Sequence, residues 1–241
     1  MNSAQQKLPL FFTEQAANPG DAILLDEAAS RHCTQVLRMR EGDRMLLTDG
    51  KGCRMEAEIL LADRRRTKVS IRETEMLPPP QPRLGIGIAF TKNTARMEWF
   101  LEKATEIGIR DIFPLLCARS QREKLRRDRF ESILNAAMLQ SRQVYLPQLH
   151  APVLFADLVN GNEYTQRCIA WCGDGPKTPL QQALAPGMDT LVLIGPEGDF
   201  SMEEVELSAE QGFRPVSLGP NRLRTETAGI VACTLMNAAR L

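Results

Sequence analysis

Short apolar runs separated by turn residues occupy the first third of the chain. The runs at 22–26, 44–50, 53–62 and 67–73 have the length and composition of β-strands. One helix is predicted among them, from Asp26 to Met39, because apolar residues recur there at helical spacing behind an aspartate that can cap the first turn. This pattern predicts a small β-barrel interrupted by one helix.

Prolines at positions 78, 79, 80 and 82 follow this region. Proline fixes its own φ angle and lacks an N–H donor, so the cluster disfavours helix and sheet and predicts an extended connector. We therefore predict a barrel domain at residues 1–77, a linker at 78–82 and a second domain at 83–241.

Strands and helices alternate in the second domain. Apolar runs at 84–90, 112–118 and 167–172 predict buried strands, and the segments 97–107 and 125–143 have the apolar spacing of amphipathic helices. Alternating strands and helices imply right-handed crossovers, so the second domain is predicted to be α/β with a mainly parallel sheet.

Two loops near the C-terminus are the candidate site. In Leu191–Ser201 and in Leu218–Ala228, an apolar run stops at Gly-Pro and a helix-start pattern follows, which predicts strand, tight loop and helix. The first loop alone is better explained as an ordinary turn, in which Ser201 and Glu204 form a capping box. Ligands bind beyond the carboxyl ends of parallel strands, so two such loops together indicate a small ligand held largely by backbone groups.

The charge pattern leaves nucleic-acid binding open. Basic and acidic residues balance at 30 each, so RNA contacts must come from local patches. The densest is 118–129, which is explained about equally well as a solvated helix face, and Arg119 in it ends a strand where it can clamp a phosphate or a base. A cluster at 64–66 fits a hairpin turn or an RNA contact. The expected RNA-binding residues are Arg38, Arg64, Arg65, Arg66, Arg122 and Arg126.

Composition excludes several other classes of protein. Six cysteines at irregular spacing, with only His32 and His150 beside them, give little support for a zinc site and indicate free thiols in a reducing cytoplasm. Neither a signal peptide nor a long apolar run is present, so a soluble intracellular protein is expected. No dinucleotide fingerprint, phosphate loop or nucleophile triad is found. These patterns predict a ligand-binding α/β domain and a barrel, but no reaction.

Six separated segments, in order, are similar to motifs of the RsmE family of ribosomal RNA methyltransferases, which belong to the SPOUT class. They are HCTQVLRMREGD at 32–43, RMEWFLEKATEIG at 96–108, RS at 119–120, QSR at 140–142, IGPEGDFS at 194–201 and LGPNRLRTETA at 218–228. Several motifs in the right order are far more specific than any one alone, and they cover nearly the whole chain.

The resemblance implies an architecture and an activity. The barrel would be PUA-like, and the second domain would be a mainly parallel sheet with a trefoil knot. The enzyme would be a homodimer with its active site at the subunit interface. It would transfer the methyl group of S-adenosylmethionine to N3 of a uridine in 16S ribosomal RNA, without a metal. The residues implied to contact the cofactor are Ile194, Gly195, Pro196, Glu197, Gly198, Leu218, Gly219, Pro220, Leu223, Arg224, Cys172 and Gly173.

The catalytic roles implied by the resemblance belong to arginines and a carboxylate. Arg119, Arg142 and Arg224 would orient the base or stabilise the anion that forms, and Glu197 or Glu226 would fix an arginine or accept a proton.

Three positions depart from the family pattern. Asp199 replaces a glycine and is expected to leave cofactor binding intact, Arg222 replaces an apolar residue, and Leu10 stands where many members have an arginine that contacts RNA. Two alternatives remain: a noncatalytic RNA-binding assembly factor, and a methyltransferase that acts on another RNA.

Overall fold

A computed structural model describes residues 8–120 and 125–240. The chain forms two compact units. The first unit runs up to Pro79 and includes Met138–Leu146. The second unit comprises Pro80–Ala137 and the chain from Pro147 onward.

The described part of the first unit contains a five-stranded sheet in the order β1-β3-β4-β5-β2. One face of this sheet packs onto a core that includes Phe11, Leu47, Met55, Ile59 and Val69. The predicted strands are confirmed, and a first short strand is added. Their bounds are β1 Leu10–Phe12, β2 Ala22–Leu24, β3 Arg44–Thr48, β4 Cys53–Leu61 and β5 Lys68–Met76.

The helix predicted from Asp26 to Met39 is shorter and less regular than expected. Asp26 caps α1, Glu27–Arg31, by accepting a hydrogen bond from the Ala29 amide, and a π-helical turn, His32–Val36, follows. Arg38 then has a φ of 56°, which ends the helical path. The wider turn buries Cys33 but leaves Val36 64% exposed, so the apolar residues of this segment do not share one buried face.

The second unit is built on an eight-stranded sheet among the described residues, and all its recorded strand pairs are parallel. The strand order is β11-β13-β10-β12-β6-β7-β8, and β9 pairs with β7. This confirms the predicted α/β class. The strands are β6 Leu84–Ala89, β7 Asp111–Leu116, β8 Gln148–Leu149, β9 Val153–Leu154, β10 Gln166–Ala170, β11 Thr178–Pro179, β12 Thr190–Ile194 and β13 Arg214–Ser217.

Helices cover both faces of this sheet. On one face the C-terminal helix, Thr225–Ala238, packs on the helix Thr94–Ile107 and on β6. The packing is so close that a Cβ atom on Gly229 would lie 2.7 Å from the Phe100 ring. On the other face, Phe155 and Val205 pack against Leu191 and Leu193. The helices predicted at 97–107 and 125–143 are present with different ends, whereas α4 and α5 were not predicted. The helices are α2 Thr94–Ile107, α3 Arg127–Gln140, α4 Phe155–Gly161, α5 Leu180–Ala183, α6 Met202–Glu210 and α7 Thr225–Ala238.

A buried carboxylate organises the amino end of β7. Asp111 accepts hydrogen bonds from Arg83, at 2.7 and 3.2 Å, and from the Tyr164 hydroxyl at 2.9 Å. Its other neighbour is Nε2 of His150, 2.9 Å away. Burial alone would raise the pKa of Asp111, but the hydrogen bonds with His150, Arg83 and Tyr164 outweigh it and hold the pKa well below its usual range. The same carboxylate thus holds the His150 ring in place.

Candidate functional site

A cavity of about 1040 Å³ lies at the carboxyl ends of β10, β12 and β13. Because β10 lies between the parallel strands β12 and β13, the loops that follow all three leave from the same edge of the sheet. These loops supply most of the cavity wall. The polar and aromatic part of the lining includes Arg96, Trp171, Cys172, Glu197, Asp199 and Arg224.

The loop after β12 is fixed by hydrogen bonds on both sides. The Asp199 amide donates to the Pro196 carbonyl at 2.9 Å, which closes a turn. The Arg119 guanidinium donates to the Gly198 carbonyl at 2.7 Å and to the Phe200 carbonyl at 3.3 Å. The loop is therefore held in one conformation before any ligand binds.

The capping box predicted for the next helix is confirmed. The Ser201 hydroxyl accepts a hydrogen bond from the Glu204 amide, and the Glu204 carboxylate accepts one from the Ser201 amide. The second carboxylate oxygen of Glu204 accepts a hydrogen bond from the Ala118 amide at 2.8 Å. Glu204 thus joins the start of α6 to the segment after β7.

The loop after β13 presents backbone groups to the cavity. Within the described ranges, the backbone N–H groups of Gly219, Asn221 and Leu223 have no hydrogen-bond partner. Gly219 has a φ of 129°, which an L-residue with a side chain rarely adopts. Arg222 donates to the Glu197 carbonyl at 3.2 Å and so ties this loop to the loop after β12. Free amides beside a helix start favour a ligand that carries hydrogen-bond acceptors or negative charge.

A charged cluster forms the wall on the side of α2. Arg96 lies in the first turn of α2, with Nη1 3.7 Å from Glu197 and Nε 3.4 Å from Glu226. The Glu226 side chain is only 9% exposed, whereas that of Glu197 is 74% exposed. Glu226 therefore fixes Arg96, and Glu197 remains accessible from solvent.

The loop after β10 is held by an aromatic ring. The Lys177 ammonium lies 5.2 Å from the centre of the Trp171 ring and donates to the Gly173 carbonyl. A Cβ atom on Gly173 would lie 2.2 Å from the Trp171 ring. Any side chain at position 173 would therefore displace the indole from the cavity wall.

The structure brings together nearly all the residues predicted to contact the cofactor. All of them except Gly198 line the cavity, and Gly198 instead offers its carbonyl to Arg119. The predicted catalytic residues are less concentrated, because only Arg224 and Glu197 are cavity residues. Arg119 binds backbone carbonyls, and Arg142, which belongs to the first unit, donates to the Leu8 carbonyl at 3.0 Å.

The predicted RNA-binding arginines that the structure describes are exposed. Arg38 and the cluster at 64–66 lie on the first unit, where Asp63 accepts hydrogen bonds from two amides of the β4–β5 turn. Those backbone hydrogen bonds hold the pKa of Asp63 below its usual value. Arg126 lies on the second unit beside a cavity of about 50 Å³, and Arg122 lies outside the described residues.

Sequence reasoning assigned no role to Arg96 or Lys177 and expected Asp199 only to leave cofactor binding intact. The parallel strand order brings all three to the cavity. Across residues 8–120 and 125–240, no group of three metal-ligating side chains occurs. In the same part of the chain, the helices are too short or too polar to cross a bilayer.

Comparisons with known proteins agree with this arrangement. Residues 78–237 match the model of an RNA methyltransferase domain, and residues 25–72 match that of an RNA methyltransferase PUA domain. A curated relative from Synechocystis, named ribosomal RNA small subunit methyltransferase E, is 30% identical, with 90% of this chain and 73% of the relative covered. The fold and the site therefore define an RNA methyltransferase.

Two solved structures share the whole fold. A probable rRNA methyltransferase from Porphyromonas gingivalis superposes with a TM-score of 0.90 at 38% identity, covering 97% of this chain and 98% of that one. A ribosomal RNA small subunit methyltransferase E from Neisseria gonorrhoeae, bound to S-adenosylmethionine, gives a TM-score of 0.84 at 25% identity, covering 96% and 97%. The chain belongs to the ribosomal RNA small subunit methyltransferase E family.

Proposed function

We propose that this protein uses S-adenosylmethionine to methylate N3 of a uridine in 16S ribosomal RNA, in the cytoplasm and as a homodimer. The observation that carries the proposal is the cavity formed by the two Gly-Pro loops, in a chain whose relative from Neisseria gonorrhoeae binds S-adenosylmethionine. We also propose residues 1–77 as the RNA-binding domain and residues 83–241 as the methyltransferase domain.

The residues at the cavity fit this cofactor. The cavity volume of about 1040 Å³ is ample for a nucleoside with an amino-acid tail. Ile194, Leu218 and Leu223 supply apolar wall for a flat base, and the unpartnered amides of the loop after β13 supply donors. When bound, S-adenosylmethionine supplies an electrophilic methyl group on a positively charged sulfur.

The side chains at the cavity divide the remaining work. Arg224 is exposed just before α7, where its guanidinium can orient a uracil or stabilise the negative charge left on the ring when N3 loses its proton. Glu197 is the accessible carboxylate and can accept that proton, whereas Glu226 is occupied by Arg96. Arg119 would act by shaping the loop after β12, and Arg142 would act by contacting RNA.

Two further features of the proposal rest on the second unit. Ile230, Val231 and Leu235 recur at helical spacing on α7 and stay partly exposed, which favours a second copy of the chain packing on this helix. We also propose a trefoil-knotted path for the C-terminal chain, in which β13 lies beside β10 and not beside its predecessor β12. Sedimentation of the purified protein tests the dimer.

Calorimetric titration with S-adenosylmethionine tests the proposed cofactor. We expect one site per chain and micromolar affinity. If the folded protein shows no binding heat at several temperatures and its thermal midpoint is unchanged by the cofactor, the proposal is wrong and a noncatalytic RNA-binding role replaces it.

A further inference from the structure

Asp199 connects two loops of the cavity. Its Oδ2 accepts a hydrogen bond from the Cys172 amide, in the loop after β10, at 3.0 Å. Its Oδ1 accepts one from the Phe200 amide, in its own loop, at 2.9 Å. Both Asp199 and Cys172 line the cavity, so this carboxylate links the loop after β12 to the loop after β10 in the cavity wall.

The backbone at Asp199 is unfavourable for a residue with a side chain. Its φ of 61° lies in the left-handed region, which glycine enters at little steric cost and aspartate less readily. Glycine would therefore serve the turn better if the turn were all that mattered. The carboxylate at this position gains two amide hydrogen bonds that glycine cannot make.

Hydrogen bonds to the neighbouring residues also hold the backbone of Asp199 in place. Arg119 donates to the carbonyls of Gly198 and Phe200, the residues on either side. The Asp199 amide is itself bonded to the Pro196 carbonyl at 2.9 Å. Since its backbone is held at both ends, the carboxylate has a defined position from which to hold Cys172.

We propose that Asp199 is a positioning residue for the cofactor, acting through the peptide group between Trp171 and Cys172. A trans peptide is planar, so the bond that fixes the Cys172 N–H also fixes the Trp171 carbonyl in the opposite direction. Both residues line the cavity, and a wall that is ordered before binding loses less entropy when the ligand arrives. This inference rests on the proposed function and adds the residue that pre-forms the β10 side of the cofactor site.

The test compares Asp199→Gly and Asp199→Asn with the unchanged protein by calorimetric titration. We expect Asp199→Gly to bind S-adenosylmethionine about tenfold more weakly, or about 1.4 kcal/mol. S-adenosylhomocysteine, which lacks the sulfonium charge, should lose the same factor because the role is geometric. Asp199→Asn keeps one side-chain acceptor oxygen, so its affinity should lie between that of the unchanged protein and that of Asp199→Gly.

Asp49→Gly is the matched control. Oδ1 of Asp49 also accepts two backbone amide hydrogen bonds, from Lys51 at 2.8 Å and Cys53 at 3.1 Å, but it does so in a turn of the first unit. Its removal should leave the affinity for both ligands unchanged. If Asp49→Gly weakened binding as much as Asp199→Gly, general loosening of the protein would explain the result and the inference would fail.

Amide hydrogen exchange in the cofactor-free protein supplies a readout that does not depend on binding. Asp199→Gly should speed exchange at Cys172, while the thermal midpoint changes little because glycine relieves the left-handed backbone. Unchanged exchange together with unchanged affinity would overturn the inference. A loss for S-adenosylmethionine alone, with none for S-adenosylhomocysteine, would overturn it as well, because charge attraction would then be the cause.

Binding by the unchanged protein tests the proposed function, and the difference between it and Asp199→Gly tests the inference. If the unchanged protein binds neither ligand, the proposed function fails, and the inference fails with it. If the unchanged protein binds and Asp199→Gly binds equally well, only the inference fails. Should Asp199→Gly not fold, Asp199→Asn carries the same comparison, with a smaller expected loss.

Discussion

Replacement of Asp111 by asparagine tests the buried network at the amino end of β7. The carboxylate is almost fully buried and accepts hydrogen bonds from Arg83 and Tyr164, beside His150. Asparagine keeps the size but removes the charge and leaves the Arg83 guanidinium without its ion-pair partner at 2.7 Å.

The magnitude follows from the exposure of the two partners. Breaking a fully buried ion pair costs about 3–5 kcal/mol. Because the Arg83 side chain is 40% exposed, solvent screens part of this loss, and we expect about 2–4 kcal/mol. For a protein of this size that corresponds to a fall in the thermal midpoint of roughly 4–16 °C.

The effect should depend on pH in a defined direction. The pKa of Asp111 is held below its usual range in the folded state, so its stabilisation is present above the unfolded pKa of about 3.9. It is lost as pH falls towards the lower folded pKa. The difference in midpoint between the unchanged protein and Asp111→Asn should therefore be full at pH 7 and shrink below about pH 4.

Differential scanning calorimetry at several pH values measures both effects. Glu98→Gln is the control, because Glu98 also has a lowered pKa, caused chiefly by its hydrogen bond with Arg129, but that pair is exposed. Its midpoint should change little. Equal midpoints for Asp111→Asn and the unchanged protein at pH 7, or a difference that grows as pH falls, would refute the reasoning.

Three further predictions concern the site, the helix packing and RNA binding. Arg224→Ala should reduce methyl transfer at least about 100-fold while the S-adenosylmethionine affinity measured by calorimetry stays largely intact. An equal loss of both would show that Arg224 acts by binding the cofactor and not on the base. Gly229→Ala should lower the free energy of unfolding by about 1–3 kcal/mol in denaturant titrations, because its Cβ would lie 2.7 Å from the Phe100 ring, and unchanged stability would contradict that packing. Changing Arg64, Arg65 and Arg66 to glutamine should weaken binding to ribosomal RNA and reduce its salt dependence, and an unchanged salt slope would remove these residues from the interface.

Local patterns predicted the parts of the site that the backbone builds. The Gly-Pro turns at 195–196 and 219–220 and the capping box of Ser201 and Glu204 depend on neighbouring residues only, so the sequence located them directly. Nearly every residue that the family resemblance implied to contact the cofactor lies at the cavity.

Features that depend on strand order were beyond sequence reasoning. The bond from Asp199 to the Cys172 amide and the pairing of Arg96 with Glu226 join segments that are far apart in the chain. Arg119 was placed on the correct side of the sheet, but its side chain turns to the carbonyls of the loop after β12. The helix predicted from Asp26 to Met39 differed because a π-helical turn shifts the apolar positions out of register.

The measurement that tests the account most directly is nucleoside mass spectrometry of 16S ribosomal RNA from cells with and without this protein. We predict that N3-methyluridine at one position disappears when the protein is absent. Incubating small ribosomal subunits or 16S ribosomal RNA from those cells with the purified protein and S-adenosylmethionine should restore the modification. An unchanged N3-methyluridine content, or the loss of a different methylated nucleoside, would contradict this prediction.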